Sequence, residues 1–508
     1  MLNWLGKLLR GTSTGVAPAA EPRGLVREAL AHQQAGRFEQ AERYLYRALA
    51  LAPASAEIQL HLGNLFRLQG RYDASLQCCL EAVRLAPALA PARNNLGNAY
   101  RDLGALDSAL AEYRRALELD GAQPEAHFNL GIALQKRGET QEAMRHYRDA
   151  LRLKPGFALA QLNLGVLLEE SADASGAIAA YAAAVAADPG LVEAHVNLGM
   201  QLLLAGRLGE GWAEYEWRLR YPEYSGADVA SAAPRWNGAV LGGRTILLDA
   251  EQGFGDAIQF LRYAPLVAER GGRVLVRCAP ELRDLFANTA GVAAVVRRGE
   301  PLPAFDTVCP LPSLPLVFGT KLESVPARVP YLLPDPVKAS QWRARFADAA
   351  GECKVGLVWA SQSQHRTAGE KSIPLEALAS LGGVAGVRFY SLQKGEAAQQ
   401  AQRPPAGMRI TDLSRELADF SDTAAAMAGL DLVISVDTAV AHLAGAMAKP
   451  TWTLLKYAPD WRWLLGRDDC PWYPGMRLFR QKQQGDWRAP VADLAEALRQ
   501  LARVPMRR

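Results

Sequence analysis

The chemistry-bearing residues of this chain collect in two segments. In LDLVISVDTAVAHLAGAMAKPTWTLL (430–455), an apolar, β-rich run ends at Val436 and is followed by Asp437, Thr438, Ala439 and, one helical turn later, His442. A strand that ends there and a helix that starts there would present free backbone N–H groups and a positive dipole end, which suit a diphosphate. Thr438 adds a hydroxyl, and Ala439 and Ala441 keep the approach open. Taken alone, Asp437 is equally well explained as a helix cap, and a lone histidine is more often a satisfied structural residue than a ligand. The second segment is EQGFGDAIQFLRYAP (251–265). Gly253 and Gly255 allow a tight turn whose backbone lies close to a ligand, and Asp256, at the expected helix start, is of the right type to take a proton from an acceptor hydroxyl. An N-cap role explains Asp256 as well. The Gly-x-Gly turn lacks the third glycine of the dinucleotide fingerprint.

Both segments sit in a β-α alternation that predicts parallel sheets covered by helices on both faces. RTILLDA (244–250), GRVLVRC (272–278), VAAVV and FDTVC read as the strands of one layer. KVGLVWA (354–360), VRFYSLQ, MRITDL, DLVISVD and TWTLL read as the strands of a second. The proline-rich stretch 310–336 reads as a linker or loop region, and the last helix, near 490–503, as one that crosses back to the first sheet. Two such domains leave a cleft at the carboxyl ends of their strands, where ligands of open αβ sheets bind.

The first half of the chain has a different periodicity. Gly63, Gly97, Gly131, Gly165 and Gly199 recur every 34 residues, each behind a leucine. That period is the mark of a helix-turn-helix solenoid of tetratricopeptide type, an array that holds another chain. Six units follow: 22–55, 56–89, 90–123, 124–157, 158–191 and 192–225. Small residues at the glycines and at Ala41, Ala109, Ala143 and Ala177 let paired helices approach, and Pro53, Pro87, Pro155 and Pro189 stop the second helices. Two residues before the glycines stand His61, Asn95, Asn129, Asn163 and Asn197. A side-chain amide donates and accepts, so a line of them could hold a peptide backbone without reading its sequence; an inter-helix role is the alternative. The pattern resembles the asparagine ladder of protein O-GlcNAc transferases. In the sixth unit, Trp212, Tyr215, Trp217 and Tyr221 predict a cap that joins the array to the next domain.

Across 508 residues the net charge is only +4, which gives no support for nucleic acid as a partner. No apolar run reaches membrane-spanning length. The six cysteines are scattered without a C-x-x-C pair, which fits reduced thiols in the cytoplasm better than disulfides or a zinc site. The opening MLNWLGKLLR lacks a secretory h-region and reads as a terminal extension before GTSTGVAPAAEP.

The pairing of QGFGDAIQFLRYAP with SVDTAVAHLAGAMAKP resembles the heptosyltransferase-like family of GT-B glycosyltransferases. Members fused behind tetratricopeptide repeats share YEWR (215–218), PRWNG, FYSLQKG (389–395) and APDWRWLLGRDDCPWYPGMRLFRQ (458–481). The resemblance implies an all-α solenoid followed by an α/β GT-B fold: a flexible tail at 1–21, acceptor-binding repeats at 22–225, an acceptor-side Rossmann-like domain at 226–351 and a donor-side one at 352–508. It implies sugar transfer from a nucleotide-sugar donor without a metal or a resident cofactor, and the sequence contains no D-x-D. Some relatives of this fused kind are implicated in flagellin glycosylation.

Position by position, the resemblance makes Asp256 the general base, with Gly253 and Gly255 on the acceptor side. It assigns Asp437, Thr438, Ala439 and His442 to the donor turn, and Lys371 to the leaving phosphate. Lys394 and Arg462 are further candidates for nucleotide or phosphate, each balanced against a structural salt bridge. Relatives often carry Gly-Asn-Pro and Asn-Asp-Arg where this chain has ASQSQHRTAGEKSIP. There His365, Lys371 and Ser372 fit the pattern, whereas Ser361, Gln362, Ser363 and Thr367 to Gly369 depart from it. Three functions are compatible: transfer to a Ser or Thr hydroxyl of a protein held by the repeats, a non-catalytic scaffold with a degenerate sugar-nucleotide domain, and transfer to a glycan or lipid-linked acceptor.

Overall fold

A computed structural model of the chain describes residues 21–224, 233–349, 351–362 and 368–503. The opening segment MLNWLGKLLR and the loop residues Ser363, His365 and Thr367 lie outside the described residues. The chain divides into two compact units, 1–167 and 168–508.

The first unit is all helical. Its helices are α1 (Pro22–Gln34), α2 (Phe38–Leu51), α3 (Ala56–Leu68), α4 (Tyr72–Leu85), α5 (Ala90–Asp102), α6 (Leu106–Leu119), α7 (Pro124–Arg137), α8 (Thr140–Leu153) and most of α9 (Ala158–Glu170). The repeating glycines are explained by close approach. A methyl group at Gly97 would stand 2.6 Å from the ring of Tyr113, and one at Gly131 would stand 2.6 Å from Tyr147. Each tyrosine is fully buried against the glycine of its partner helix. Removing a side chain of that size from water contributes roughly 2–3 kcal/mol, so one extra carbon on the glycine would forfeit a large contact.

The second unit begins with α10 (Ala174–Ala187), α11 (Val192–Leu204) and α12 (Leu208–Tyr215). Two parallel sheets follow. The first has the order β3-β2-β1-β4, with β1 (Thr245–Asp249), β2 (Arg273–Cys278), β3 (Val292–Arg297) and β4 (Thr307–Pro310). The second has the order β10-β9-β8-β5-β6-β7, with β5 (Cys353–Val358), β6 (Val387–Ser391), β7 (Ile410–Asp412), β8 (Leu432–Val436), β9 (Thr451–Leu455) and β10 (Met476–Arg480). Every strand pair is parallel. Successive residues point to opposite faces, and both faces are covered. Ile246 and Leu248 enter one apolar cluster while Leu247 enters another, and Leu432 and Ile434 are likewise separated from Val433. This arrangement is consistent with a GT-B fold.

One expectation is corrected, one is narrowed and one strand is added. The last helix, α15 (Arg488–Ala502), does not cross back to the first sheet; Val491, Leu494 and Leu498 pack with Val355, Leu357 and Ile434 of the second. Of the two readings of 310–336, the structure takes the packed loop: Leu311 and Leu314 are fully buried and the backbone N–H of Tyr331 donates to Ala446 at 3.0 Å. MRLFR, unassigned from sequence, forms edge strand β10 beside β9. The expected cap is present: the Trp212 indole donates to the Thr320 carbonyl at 3.1 Å, and its ring meets Trp461 edge-on at 5.3 Å.

Candidate functional site

Strand order fixes where a site can form. In the second sheet the chain runs β5, β6, β7 in one direction and β8, β9, β10 in the other, so the order reverses between β5 and β8. In the first sheet it reverses between β1 and β4. Loops leaving the two sides of such a reversal part from each other and leave a crevice at the strands' carboxyl ends. Asp437 and Thr438 follow β8, Lys371 ends a short helical turn (Ala368–Lys371) after β5, and Asp256 belongs to the loop and helix after β1.

Two helix starts meet here. Helix α13 (Phe254–Phe260) follows Gly253, and α14 (Ala439–Ala446) follows Thr438. A methyl group on Gly255 would lie 3.0 Å from the His442 ring and 3.7 Å from Ala439 Cα. Gly255 is therefore the point at which the two helices touch. Gly253 is less constrained, since a methyl there would meet only the Asp256 carboxylate, at 3.6 Å. Neither Asp256 nor Asp437 caps a helix. Asp256 lies in the first turn of α13, whose N-cap is Gly253, and the N-cap of α14 is Thr438. The Thr438 hydroxyl pairs with Ser435 Oγ at 2.9 Å and makes no cap bond, so the first amides of α14 keep the free donors of a helix start.

Both carboxylates are instead in ion pairs. Asp437 holds the Lys371 ammonium at 2.6 Å. Burial pulls Lys371 down, but Asp437 and Asp460 outweigh it and raise the ammonium above its ordinary value. Asp256 is paired with Arg462, which also holds Asp460 at 2.6 Å and lies 4.2 Å over the Trp461 ring. Burial works against the Asp460 carboxylate, yet Arg462 and Lys371 keep it well below the usual carboxylate range. The result is an alternating chain of charge, Asp256–Arg462–Asp460 beside Lys371–Asp437, at the crevice end of both sheets.

His442 stands behind this chain. It is 4 % exposed, pairs through Nδ1 with the Tyr473 hydroxyl at 2.9 Å and stacks on Trp463 at 5.1 Å. Burial, followed by Arg462, holds its imidazole well below the ordinary value, so it is neutral. At this position it packs the two helix starts together, with Nδ1 committed to the Tyr473 hydroxyl. Lys394 is committed elsewhere, to the carbonyls of Ser414 and Leu417 at 2.6 and 2.7 Å. The neighbouring Gln393 clamps the end of β5, accepting from Ala360 N at 2.8 Å and donating to its carbonyl at 3.0 Å.

The repeat asparagines are half-buried and already bonded. Asn129 donates to Asn94 at 3.0 Å, Asn163 donates to the Tyr147 hydroxyl at 3.4 Å, Asn95 accepts from Asn94 at 3.5 Å, and Asn197 bonds Tyr181. Their amides join helices as well as facing outward.

Some contributors were not given roles from sequence. Arg218 of YEWR is almost fully buried and donates to Glu251 at 3.0 Å and to Ser313 at 2.8 Å, anchoring the loop that carries Asp256. Burial raises Glu251 to about 7 despite Arg218 beside it. Asp460 and Tyr473 lie inside the long APDWRW…RLFRQ motif, and only that shared string could have pointed to them.

Comparison with known proteins follows the same division. Residues 26–90 and 128–192 match the tetratricopeptide repeat family model, and residues 97–138 match a second repeat model. Residues 376–474 match glycosyltransferase family 9 (heptosyltransferase), a span that includes Lys394, Asp437, Thr438, His442 and Arg462. Protein FlbA of Caulobacter vibrioides is 30% identical over 326 residues, covering 59% of this chain and 54% of that protein. The chain thus spans about half the length of this curated relative. Among solved structures, pilF of Pseudomonas aeruginosa is 21% identical with a TM-score of 0.37, covering 41% of this chain and 96% of that one. A tetratricopeptide protein of Thermus thermophilus is 22% identical with a TM-score of 0.33, covering 36% and 99%.

Proposed function

We propose that this chain, which carries tetratricopeptide repeats and a glycosyltransferase family 9 segment, transfers a sugar from a nucleotide-sugar donor to a Ser or Thr hydroxyl of a protein held by its repeats, flagellin being one candidate acceptor. One observation carries the reading. A carboxylate suited to proton abstraction and a cluster of cations beside a free helix start share one crevice end, joined through Arg462.

In the proposed reaction Asp256 takes the proton of the acceptor hydroxyl, and the oxygen forms a bond to the anomeric carbon. The bond from that carbon to the donor phosphate breaks, and its electron pair leaves with the nucleoside diphosphate (or the monophosphate of a CMP-sugar). The amides of Ala439 and Val440, together with Lys371 and Arg462, stabilise the charge that develops on the leaving group. These fixed cations supply the charge that a metal would otherwise bring. A single displacement of this kind inverts the anomeric centre.

The ion pairs give the cycle an order. Arg462 cannot hold both Asp256 and a diphosphate at full strength, so donor binding draws the guanidinium away and frees the base. The same pairing also fits a second reading, a non-catalytic scaffold in which Asp256 and Asp437 stay paired.

The test is incubation of the full chain with a panel of nucleotide sugars and coexpressed candidate acceptors, read by intact mass. A single sugar increment on a Ser or Thr supports transfer. Thermal shifts by nucleotides without any increment on protein, glycan or lipid acceptors support the scaffold. Removing residues 22–157 keeps nucleotide binding but abolishes modification of a protein acceptor; undiminished protein modification by that variant refutes the role given to the repeats.

A further inference from the structure

The fourth repeat differs from its neighbours at one pair of positions. In the third, fourth and sixth repeats a first-helix residue faces a second-helix residue 19 positions later. In the third repeat the two are Arg93 and Glu112, an ion pair at 2.9 Å; in the sixth they are His195 and Glu214, paired at 2.5 Å. Those pairs satisfy themselves. In the fourth repeat the positions hold His127 on α7 and His146 on α8, and their Nδ1 atoms approach to 3.0 Å. Two lone-pair donors thus stand where the third and sixth repeats set a carboxylate against its partner. Asp149 follows His146 by three residues, on the same face of α8. A ring nitrogen of each histidine and a carboxylate oxygen of Asp149 all lie within 4.8 Å of one another.

We propose that His127, His146 and Asp149 form a binding site for a divalent late first-row transition-metal ion, with zinc, nickel, cobalt or copper as the chemical class. The geometry carries the proposal. Two nitrogens bound to one ion at ordinary lengths are about 3.0 Å apart when cis at a right angle and about 3.3 Å apart in a tetrahedron, so the observed spacing needs little or no opening. Imidazole and carboxylate are the ligands these ions take. The outer partners are also present. His127 Nε2 lies 3.2 Å from the Gly121 carbonyl, which fixes its N–H there and turns the Nδ1 lone pair inward. His146 Nε2 lies 3.4 Å from the Arg145 guanidinium and 3.8 Å from Glu142. Without metal, His146 donates from Nδ1 to His127 and accepts from Arg145. With metal on Nδ1, its proton moves to Nε2, which gives up Arg145 and turns toward the Glu142 carboxylate 3.8 Å away, so no proton is lost overall. Asp149, 30% exposed, gives up a 3.3 Å contact with Arg152 to turn inward. The bound ion would staple α7 to α8 within the repeat array.

The test uses the full chain stripped by chelator and titrated with zinc chloride and cobalt chloride. The expected result is one ion per chain, visible d–d bands of imidazole-bound cobalt, and a higher melting temperature. Asp149→Asn, on a partly exposed face, and His146→Gln each weaken binding by more than about 100-fold, beyond the about 10- to 100-fold that loss of an outer partner alone costs, while His61→Gln, in another repeat, leaves it unchanged. If His146→Gln does not fold, Asp149→Asn carries the test. The absence of saturable binding, or binding unchanged in Asp149→Asn, overturns the proposal and leaves the pair as a neutral imidazole–imidazole hydrogen bond.

Discussion

Replacing Asp256 with asparagine separates catalysis from donor binding, and the two effects have opposite signs. Asparagine keeps the size of the side chain but cannot accept a proton at neutral pH. Loss of a general base lowers turnover by about 10²–10⁴-fold, equivalent to about 3–5 kcal/mol of barrier. Donor affinity moves the other way, because Arg462 is held by Asp256 before a diphosphate arrives. The Arg462 side chain is 11% exposed and that of Asp256 is 19% exposed. Their pair therefore lies between an exposed bridge, worth about 0.2–1 kcal/mol, and a buried pair, whose breaking costs about 3–5 kcal/mol. About 1–2 kcal/mol is released for the donor, which tightens nucleotide binding by about 5- to 30-fold. The melting temperature changes little, because Arg462 keeps Asp460. Calorimetric titration with nucleoside diphosphates, set beside mass-resolved transfer, measures both arms. Wild-type turnover by Asp256→Asn refutes the base assignment, and weaker nucleotide binding refutes the competition for Arg462.

Lys371→Met lowers turnover by about 10²-fold and weakens nucleotide binding, since it removes a cation from the leaving group; Lys394→Met leaves binding unchanged and lowers only the denaturation midpoint, because its ammonium serves two carbonyls. Gly255→Ala forces a carbon to 3.0 Å from His442, separates the two helix starts and costs about 1–3 kcal/mol in a urea titration, whereas Gly253→Ala, with its nearest neighbour at 3.6 Å, costs much less. His442 stays neutral when folded but accepts a proton near pH 6.5 when unfolded, so its contribution is complete above pH 6.5 and is lost as pH falls from there toward its depressed folded value. Stability measured against pH should lose part of that acid slope in His442→Gln, and an unchanged slope contradicts a neutral buried ring.

Much of this protein is written locally. The 34-residue spacing of glycine marks the helix pairs because helix contact demands a missing side chain at one place per unit, and Tyr113 and Tyr147 occupy the space that is left. The αβ alternation and the string after Val436 are likewise legible, since strand and helix periods and a helix start are properties of neighbouring residues. The charge chain is not. Asp256 and Arg462 are 206 positions apart, and nothing in either segment says that an arginine from the turn after β9 closes on that carboxylate. The same holds for His442, whose neighbour Tyr473 decides that it is a neutral packing residue, and for Arg218, whose partner Glu251 lies in another element. His127 and His146 are separated by 19 residues and meet only because two helices lie side by side. The sequence by itself determined which elements form and which residue types are available at their ends, because propensity, capping and close-contact rules act over a few residues. The tertiary structure alone decided which charges pair, which ring is neutral and which two helix starts touch, because those outcomes depend on distances set by packing between segments far apart in sequence.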